Sequence, residues 1–443
     1  MSAVQNSLTH TDLLTPAARA ALRAGIVGNW IDNIHVFLPL TALAPAMAYL
    51  VGPYQAASTG ALVVIAMLLG RPLGGIIFGR VSDRIGRAPT TRLAIAGTAA
   101  CALLIACLPS HNVFGAATLW LLLGLRFVGG IFVAGEYSAA IPLAMEWSRP
   151  SRRGLASGTI LSMAPWAQAT VAASVGLLLV TIGPDSYVRW GWRAMFVIAA
   201  LLSLGMLSYY SRHVLDAPNF HRATRQNLTQ GSVRDVILGA WSANFWQCFV
   251  LMSGLWLLTN SVVLILTSRL GVNTGLAPTQ VSWAMALASG AQAIAMAFAG
   301  HLSSLFGRRR VLIGWGALAV ITAPWLLRAA LGATTTWQAA GWAALAQVCT
   351  VAAYGPVAAY LSERFPTQVR STGYGMAYSL SLILPALYPF YLPTLSRLFG
   401  QPGDVMALAA LGGILLLIGA ALGPAFKPSD VDCQLDQIGT VEP

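Results

Sequence analysis

Charge is what this chain has least of. Only 9% of its 443 residues are Asp, Glu, Lys or Arg, against about 25% in ordinary soluble proteins. That excludes a solvated globular surface over most of the length. Acidic residues number 14, and Lys427 is the one lysine, so nearly all the positive charge is arginine. Cysteine is sparse: Cys101, Cys107, Cys248, Cys349 and Cys433 show no metal-ligand spacing. Four of them lie inside apolar runs, where a thiol packs as a small apolar group, so no metal and no cofactor is expected. No nucleotide loop appears, and His10, His111, His213, His221 and His301 are scattered over loops and ends. With no nucleophile–base constellation the chain is not expected to be an enzyme. The formal charge of +12 raises nucleic acid as a partner, but the basic residues fall in short loops between apolar runs. A nucleic-acid surface would cluster them on one face.

What is abundant is hydrocarbon: 57% of residues are hydrophobic and the mean hydropathy is +0.69. Apolar runs lie near 25–48, 56–79, 90–108, 115–145, 154–181, 191–210, 237–266, 280–302, 310–328, 336–361, 369–396 and 404–425. Each is long enough to cross a hydrocarbon core of about 30 Å. Backbone groups in lipid are satisfied only by helices or closed barrels, and these runs are too long for barrel strands. The fold class is therefore an all-α membrane protein with twelve transmembrane helices. With the N-terminus inside, nineteen of the 26 basic residues fall on the inner side and five on the outer. This places both termini in the cytoplasm. The first residues lack a cleavable signal pattern, so the first helix is expected to be retained.

One hairpin organises the rest. Gly79-Arg80-Val81-Ser82-Asp83-Arg84-Ile85-Gly86-Arg87 is short, charged and glycine-punctuated between two apolar runs. A weaker copy returns as Gly300-His301-Leu302-Ser303-Ser304-Leu305-Phe306-Gly307-Arg308-Arg309. Each hairpin is followed by a Glu with an Arg seven residues on: Glu146 and Arg153, then Glu363 and Arg370. The longest polar connector, about His213 to Val236, separates the copies. The expected division is a cytoplasmic segment 1–24, a six-helix bundle 25–211, a cytoplasmic connecting loop 212–236, a second six-helix bundle 237–426 and a cytoplasmic tail 427–443. Two parallel halves suit an alternating-access carrier. A channel does not need the duplication, and a membrane sensor would be expected to carry a soluble output domain.

These residues resemble known signatures. Gly79-x-x-x-Asp83-Arg84-x-Gly86-Arg87 resembles the loop 2–3 motif of the major facilitator superfamily. Arg126-Phe127-Val128-Gly129-Gly130, Gly135-Glu136, Glu146 and Arg152-Arg153-Gly154 are similar to helix 4 and loop 4–5 of its metabolite:proton symporter family. Trp190-Gly191-Trp192-Arg193, Asp216-Ala217-Pro218-Asn219-Phe220 and Glu363-x-Phe365-Pro366-Thr367-x-x-Arg370-x-Thr372-Gly373 fit the same family. The resemblance implies that family's fold and the import of small organic acids, such as oxoglutarate, citrate or shikimate, or zwitterions such as proline and betaine, with protons. In the first helix Asp32 stands where the family has Glu, and His35 where it has Asp.

An ionisable side chain near mid-bilayer costs at least ~3 kcal/mol and marks a functional site by default. Asp32 and His35 are three residues apart and share a helix face, which makes them the candidates for proton coupling. Arg126 is the first choice for a substrate carboxylate, because its planar fork suits bidentate binding. The resemblance implies that helices 1 and 4 line one cavity, so an Asp32–Arg126 contact is expected. Arg71, in Gly70-Arg71-Pro72, is a possible second ligand nearer the gate. Trp30, Asn33, Trp166, Gln168, Trp256, Asn260, Tyr354 and Tyr378 lie near mid-span and are candidates for shaping the cavity. A gate is expected from Gly79, Asp83, Arg84, Gly86, Arg87, Glu136, Glu146, Arg153, Glu363 and Arg370. In it, Asp83 would cap a neighbouring helix, Arg84 and Arg87 would reach Glu146, and Glu136 would pair nearby.

The sequence thus reads as a proton-coupled secondary carrier of a bacterial inner membrane, acting as a monomer on a small carboxylated metabolite. The alternatives are a carrier of a bulkier carboxylate such as a siderophore or metallophore, or an exporter working by proton antiport. The expected partners are the substrate, protons and the lipid bilayer.

Overall fold

A computed structural model describes residues 15–52, 56–218, 220–221, 231–425 and 435. Most of the expected termini, Asn219 and the middle of the connecting loop lie outside the described residues. The described chain is helical throughout. Eleven helices are long and apolar enough to cross a membrane. A twelfth is present when Arg370–Ala386 and Tyr388–Phe399, which meet at 49°, are taken as one broken span.

The spans in order are α1 (Pro16–Thr41), α2 (Ala56–Ile85), α3 (Arg87–Ala106), α4 (Ala117–Trp147), α5 (Arg153–Leu161 continued by Met163–Ile182) and α6 (Trp192–His213). The second set is α7 (Ser242–Thr259, a π-helical segment Asn260–Ile265, then Leu266–Thr274), α8 (Pro278–Phe306) and α9 (Arg308–Leu331). It ends with α10 (Thr336–Thr350, a 3-10 turn Val351–Tyr354, then Val357–Glu363), α11 (Arg370–Leu380, Ile383–Ala386 and Tyr388–Phe399) and α12 (Gly403–Ala421). Proline sits inside several helices, Pro72, Pro142 and Pro324 among them. Such positions are tolerated where neighbouring groups satisfy the freed carbonyls.

Both hairpins turn on a glycine in left-handed backbone, Gly86 at φ 106° and Gly307 at φ 89°. Glycine adopts this conformation without steric cost, so the repeat seen in the sequence is a repeat in backbone geometry. Two apolar cores are confined to residues between Ala24 and Ala217, within the first six spans and the start of the connector. A third, centred on α7–α12, runs across to Met67, Tyr137 and Ile160. At that crossing the helices touch backbone to backbone. A Cβ on Gly75 of α2 would lie 2.6 Å from the Gly375 carbonyl of α11. One on Gly158 of α5 would lie 2.6 Å from the Met296 carbonyl of α8. At the start of the second half Ser232 and Asp235 cap each other's backbone N–H groups, and these bonds hold the Asp235 carboxyl below its usual range.

Candidate functional site

Two polar clusters stand out, one at the hairpin end of the helices and one near mid-span. At the hairpin end the ion pairs are built twice. The Glu146 carboxylate meets Arg87 of its own half at 3.4 Å and Arg370 of the other half at 2.6 Å. The Glu363 carboxylate meets Arg308 of its own half and Arg153 of the other, both at 3.2 Å. Each Glu therefore joins one hairpin arginine to one arginine from across the interface, and the seven-residue Glu–Arg spacing exchanges partners between halves. Asp83 accepts from the backbone N–H groups of Ser371 at 3.1 Å and Thr372 at 2.8 Å. It thus caps the first turn of α11, where a helix presents unsatisfied donors and the positive end of its dipole. Ser82 donates to Ser371 at 2.9 Å, and Ser157 donates to the Gly355 carbonyl at 2.6 Å.

Some expectations are corrected here. Arg84 is exposed and forms no ion pair among the described residues. It sits on the last turn of α2, whereas Arg87 opens α3 beyond the Gly86 turn, so Arg87 alone reaches Glu146. Glu136 does not join the gate either. It accepts from Thr98 at 2.8 Å and lies beside the Asp32 carboxyl. Gly79 and Gly86 are backbone positions: Gly79 lets α2 close on Thr372, and Gly86 makes the turn. Asp216, which sequence reasoning quoted without a role, accepts from the N–H groups of Arg87 and Ala88 at 2.7 and 2.9 Å. It caps α3 and ties the connector to the hairpin.

The mid-span cluster is aromatic. Arg71, only 3% exposed, places its guanidinium carbon 4.8 Å from the centre of the Tyr137 ring. It lies 5.6 Å from Trp256 and 5.9 Å from Tyr378. Tyr137 stacks on Tyr378 at 5.1 Å, Tyr378 on Tyr374 at 5.9 Å, and Trp256 meets Tyr354 at 5.7 Å. Arg71 and Tyr137 come from the first half, the other rings from the second. A cation over such rings is held by their quadrupoles without spending its hydrogen-bond donors. Arg71 Nε and the hydroxyls of Tyr354, Tyr374 and Ser379 are buried and have no hydrogen-bond partner among the described residues. Asn33 joins this group, donating to the Tyr137 hydroxyl at 2.8 Å and to the Asn29 carbonyl at 2.7 Å.

The remaining mid-span candidates are placed elsewhere. Arg126 donates to the His35 carbonyl at 3.2 Å and to Met67 Sδ at 2.5 Å, and forms no ion pair with Asp32. The helices run antiparallel, so the deeper Glu136 of α4 meets Asp32 while Arg126 meets the end of α1 that lies beyond it. His35 Nε2 is 2.8 Å from Ser203 Oγ on α6. Trp30 donates to Thr170 at 3.3 Å within the first half, and Trp166 is 42% exposed. Gln168 accepts from Ser289 at 3.5 Å, and Asn260 donates to the Pro385 carbonyl at 2.5 Å. Of the eight expected cavity residues the structure brings Asn33, Trp256, Tyr354 and Tyr378 to Arg71. Tyr137 and Tyr374 were missed. Their signals were spacing: Tyr374 is four residues before Tyr378, and Tyr137 is eleven after Arg126, near three full turns.

With the geometry established, known proteins can be compared. The sequence profile of the Major Facilitator Superfamily matches residues 33–273 and 248–432. The chain belongs to the Major Facilitator Superfamily. Among curated superfamily relatives it is similar to the inner membrane metabolite transport protein YhjE of Escherichia coli K12, at 26% identity over 437 residues, covering 94% of this chain and 97% of the relative. It is 28% identical to the alpha-ketoglutarate permease of the same strain over 324 residues, covering 72% of this chain and 73% of the permease. A proline/betaine transporter of that strain matches at 26% over 436 residues, covering 90% and 82%. In three dimensions the proton:xylose symporter XylE aligns with TM-score 0.74 at 17% identity, covering 92% of this chain and 95% of XylE. The superfamily fold, transport and a membrane location follow. Enzymatic activity does not.

Proposed function

We propose that this protein is a proton-coupled importer of a small carboxylated metabolite, working by alternating access as a monomer in a bacterial inner membrane with both termini cytoplasmic. The observation that carries this reading is the Arg71 guanidinium, buried between aromatic rings of both halves with a donor nitrogen left over. A carboxylate is the group such a fork binds best. Arg71 replaces Arg126 as the anchor, because Arg71 lies between rings of both halves, whereas Arg126 bonds the His35 carbonyl and Met67 within the first half.

Proton coupling is assigned to Asp32 together with Glu136. Two buried carboxyl groups side by side are not readily ionised together, which favours keeping one proton on the pair. Arg71 is the cation acting on Asp32. Loss of that proton would leave a negative charge beside the substrate's own anchor, which links protonation to carboxylate binding. His35, bonded to Ser203, takes a supporting place in the first half. The hairpin ion pairs serve as the gate: they join the halves at the hairpin end and would break when that end opens. Among curated relatives the alpha-ketoglutarate permease supports a carboxylate and the proline/betaine transporter a zwitterion.

The test is uptake of radiolabelled carboxylates into proteoliposomes with an imposed pH gradient. Accumulation is expected when the outside is acidic and should vanish with a protonophore. Accumulation only under the reversed gradient would make the protein an exporter.

A further inference from the structure

Beside the end of α1 nearest the hairpins, a cavity of about 420 Å³ lies against α5 and the segment joining α4 to α5. Arg19, Arg149 and Arg152 line it and no acidic residue does. Arg19 and Arg152 are exposed. Arg19 sits three residues inside the start of α1, and Arg152 directly precedes α5, so both guanidinium groups stand where helices leave hydrocarbon. The floor is apolar, with Leu22, Ile26 and Ile160. From Arg19 to Ile26 it climbs α1 by about 10 Å, toward mid-membrane. A second groove of about 610 Å³ on the α6 side of the same helix end has Arg23 at its mouth and Val27 and Ile31 behind it.

The geometry points to a seat for an anionic phospholipid of the leaflet facing the hairpins. Its phosphate would lie on Arg19 and Arg152, with Arg149 alongside, and the first methylenes of its acyl chain on the Leu22–Ile26 floor. A soluble phosphate could use the arginine rim but gains nothing from the floor, and a zwitterionic lipid gains little from the rim. An anionic lipid uses both. The site is distinct from the substrate cluster but close to the gate, because Arg152 adjoins Arg153, which pairs with Glu363 across the halves.

The test is thermal unfolding of the full-length protein in detergent with added short-chain phosphatidylglycerol, short-chain phosphatidylcholine or inorganic phosphate at equal concentration. Phosphatidylglycerol alone is expected to raise Tm. In the Arg19→Gln/Arg152→Gln variant its apparent affinity should fall roughly thirtyfold, the worth of two basic residues at an anionic lipid surface. Ile26→Trp, which fills the floor and leaves the charges in place, should weaken it as well and decides the matter should the double variant melt abnormally. An equal shift with phosphate would make this a soluble-anion site and overturn the proposal. So would an equal shift with phosphatidylcholine, no shift with phosphatidylglycerol, or variants that respond like the wild type.

Discussion

The two polar clusters of this protein are opposites in construction. At the hairpin end, charges meet charges: Glu146 and Glu363 are each shared by two arginines, and Asp83 is bonded to two backbone N–H groups. At mid-span one guanidinium is wrapped in rings and forms no ion pair among the described residues. A cluster whose ion pairs cross between the halves is built to hold one arrangement. A buried guanidinium held by rings instead of a carboxylate keeps its charge for an anionic ligand. On the proposed reading the first cluster is a latch and the second a binding site.

The comparison can be broken most severely at Arg71. Arg71→Gln should lower substrate affinity by roughly 10- to 150-fold, the worth of a charge-assisted hydrogen bond, and leave Tm nearly unchanged, as measured by substrate-induced thermal shift. Next comes Arg370→Ala, which leaves the buried Glu146 with only its longer contact to Arg87. Removing one partner of such a pair costs about 3–5 kcal/mol, so unfolding should begin well below the wild-type Tm and cysteines placed at the hairpin end should label faster. A third probe is Asp32→Asn, expected to abolish pH-driven accumulation while substrate counterflow continues. Unchanged accumulation would remove Asp32 from coupling. The smallest effect belongs to Arg84→Gln, which should change stability by less than about 0.5 kcal/mol. A larger loss would mean that Arg84 shares the latch after all.

Much of this was legible in the sequence, and the illegible part has a clear cause. Apolar run length gave the spans, and the two glycine-punctuated hairpins gave the repeat, down to the shared backbone conformation at Gly86 and Gly307. The capping role of Asp83 followed from its chemistry. Depth counted along a helix placed Arg71 nearer the gate, and it says nothing about which neighbour a side chain faces. That is why Arg126 seemed a better anchor than Arg71, and why Glu136 was assigned to the gate instead of to Asp32. The exchange of Glu146 and Glu363 partners across the halves joins residues more than 200 positions apart, and no local pattern encodes it. Asp216 shows the same limit: its bond to the Arg87 N–H joins residues 129 positions apart.

The most direct test of the account compares Arg71→Gln with Arg126→Gln after a carboxylate panel has identified a ligand of the wild type. The account predicts that Arg71→Gln loses the ligand-induced rise in Tm and the pH-driven uptake, while folded Arg126→Gln still binds. Wild-type binding by Arg71→Gln would contradict it.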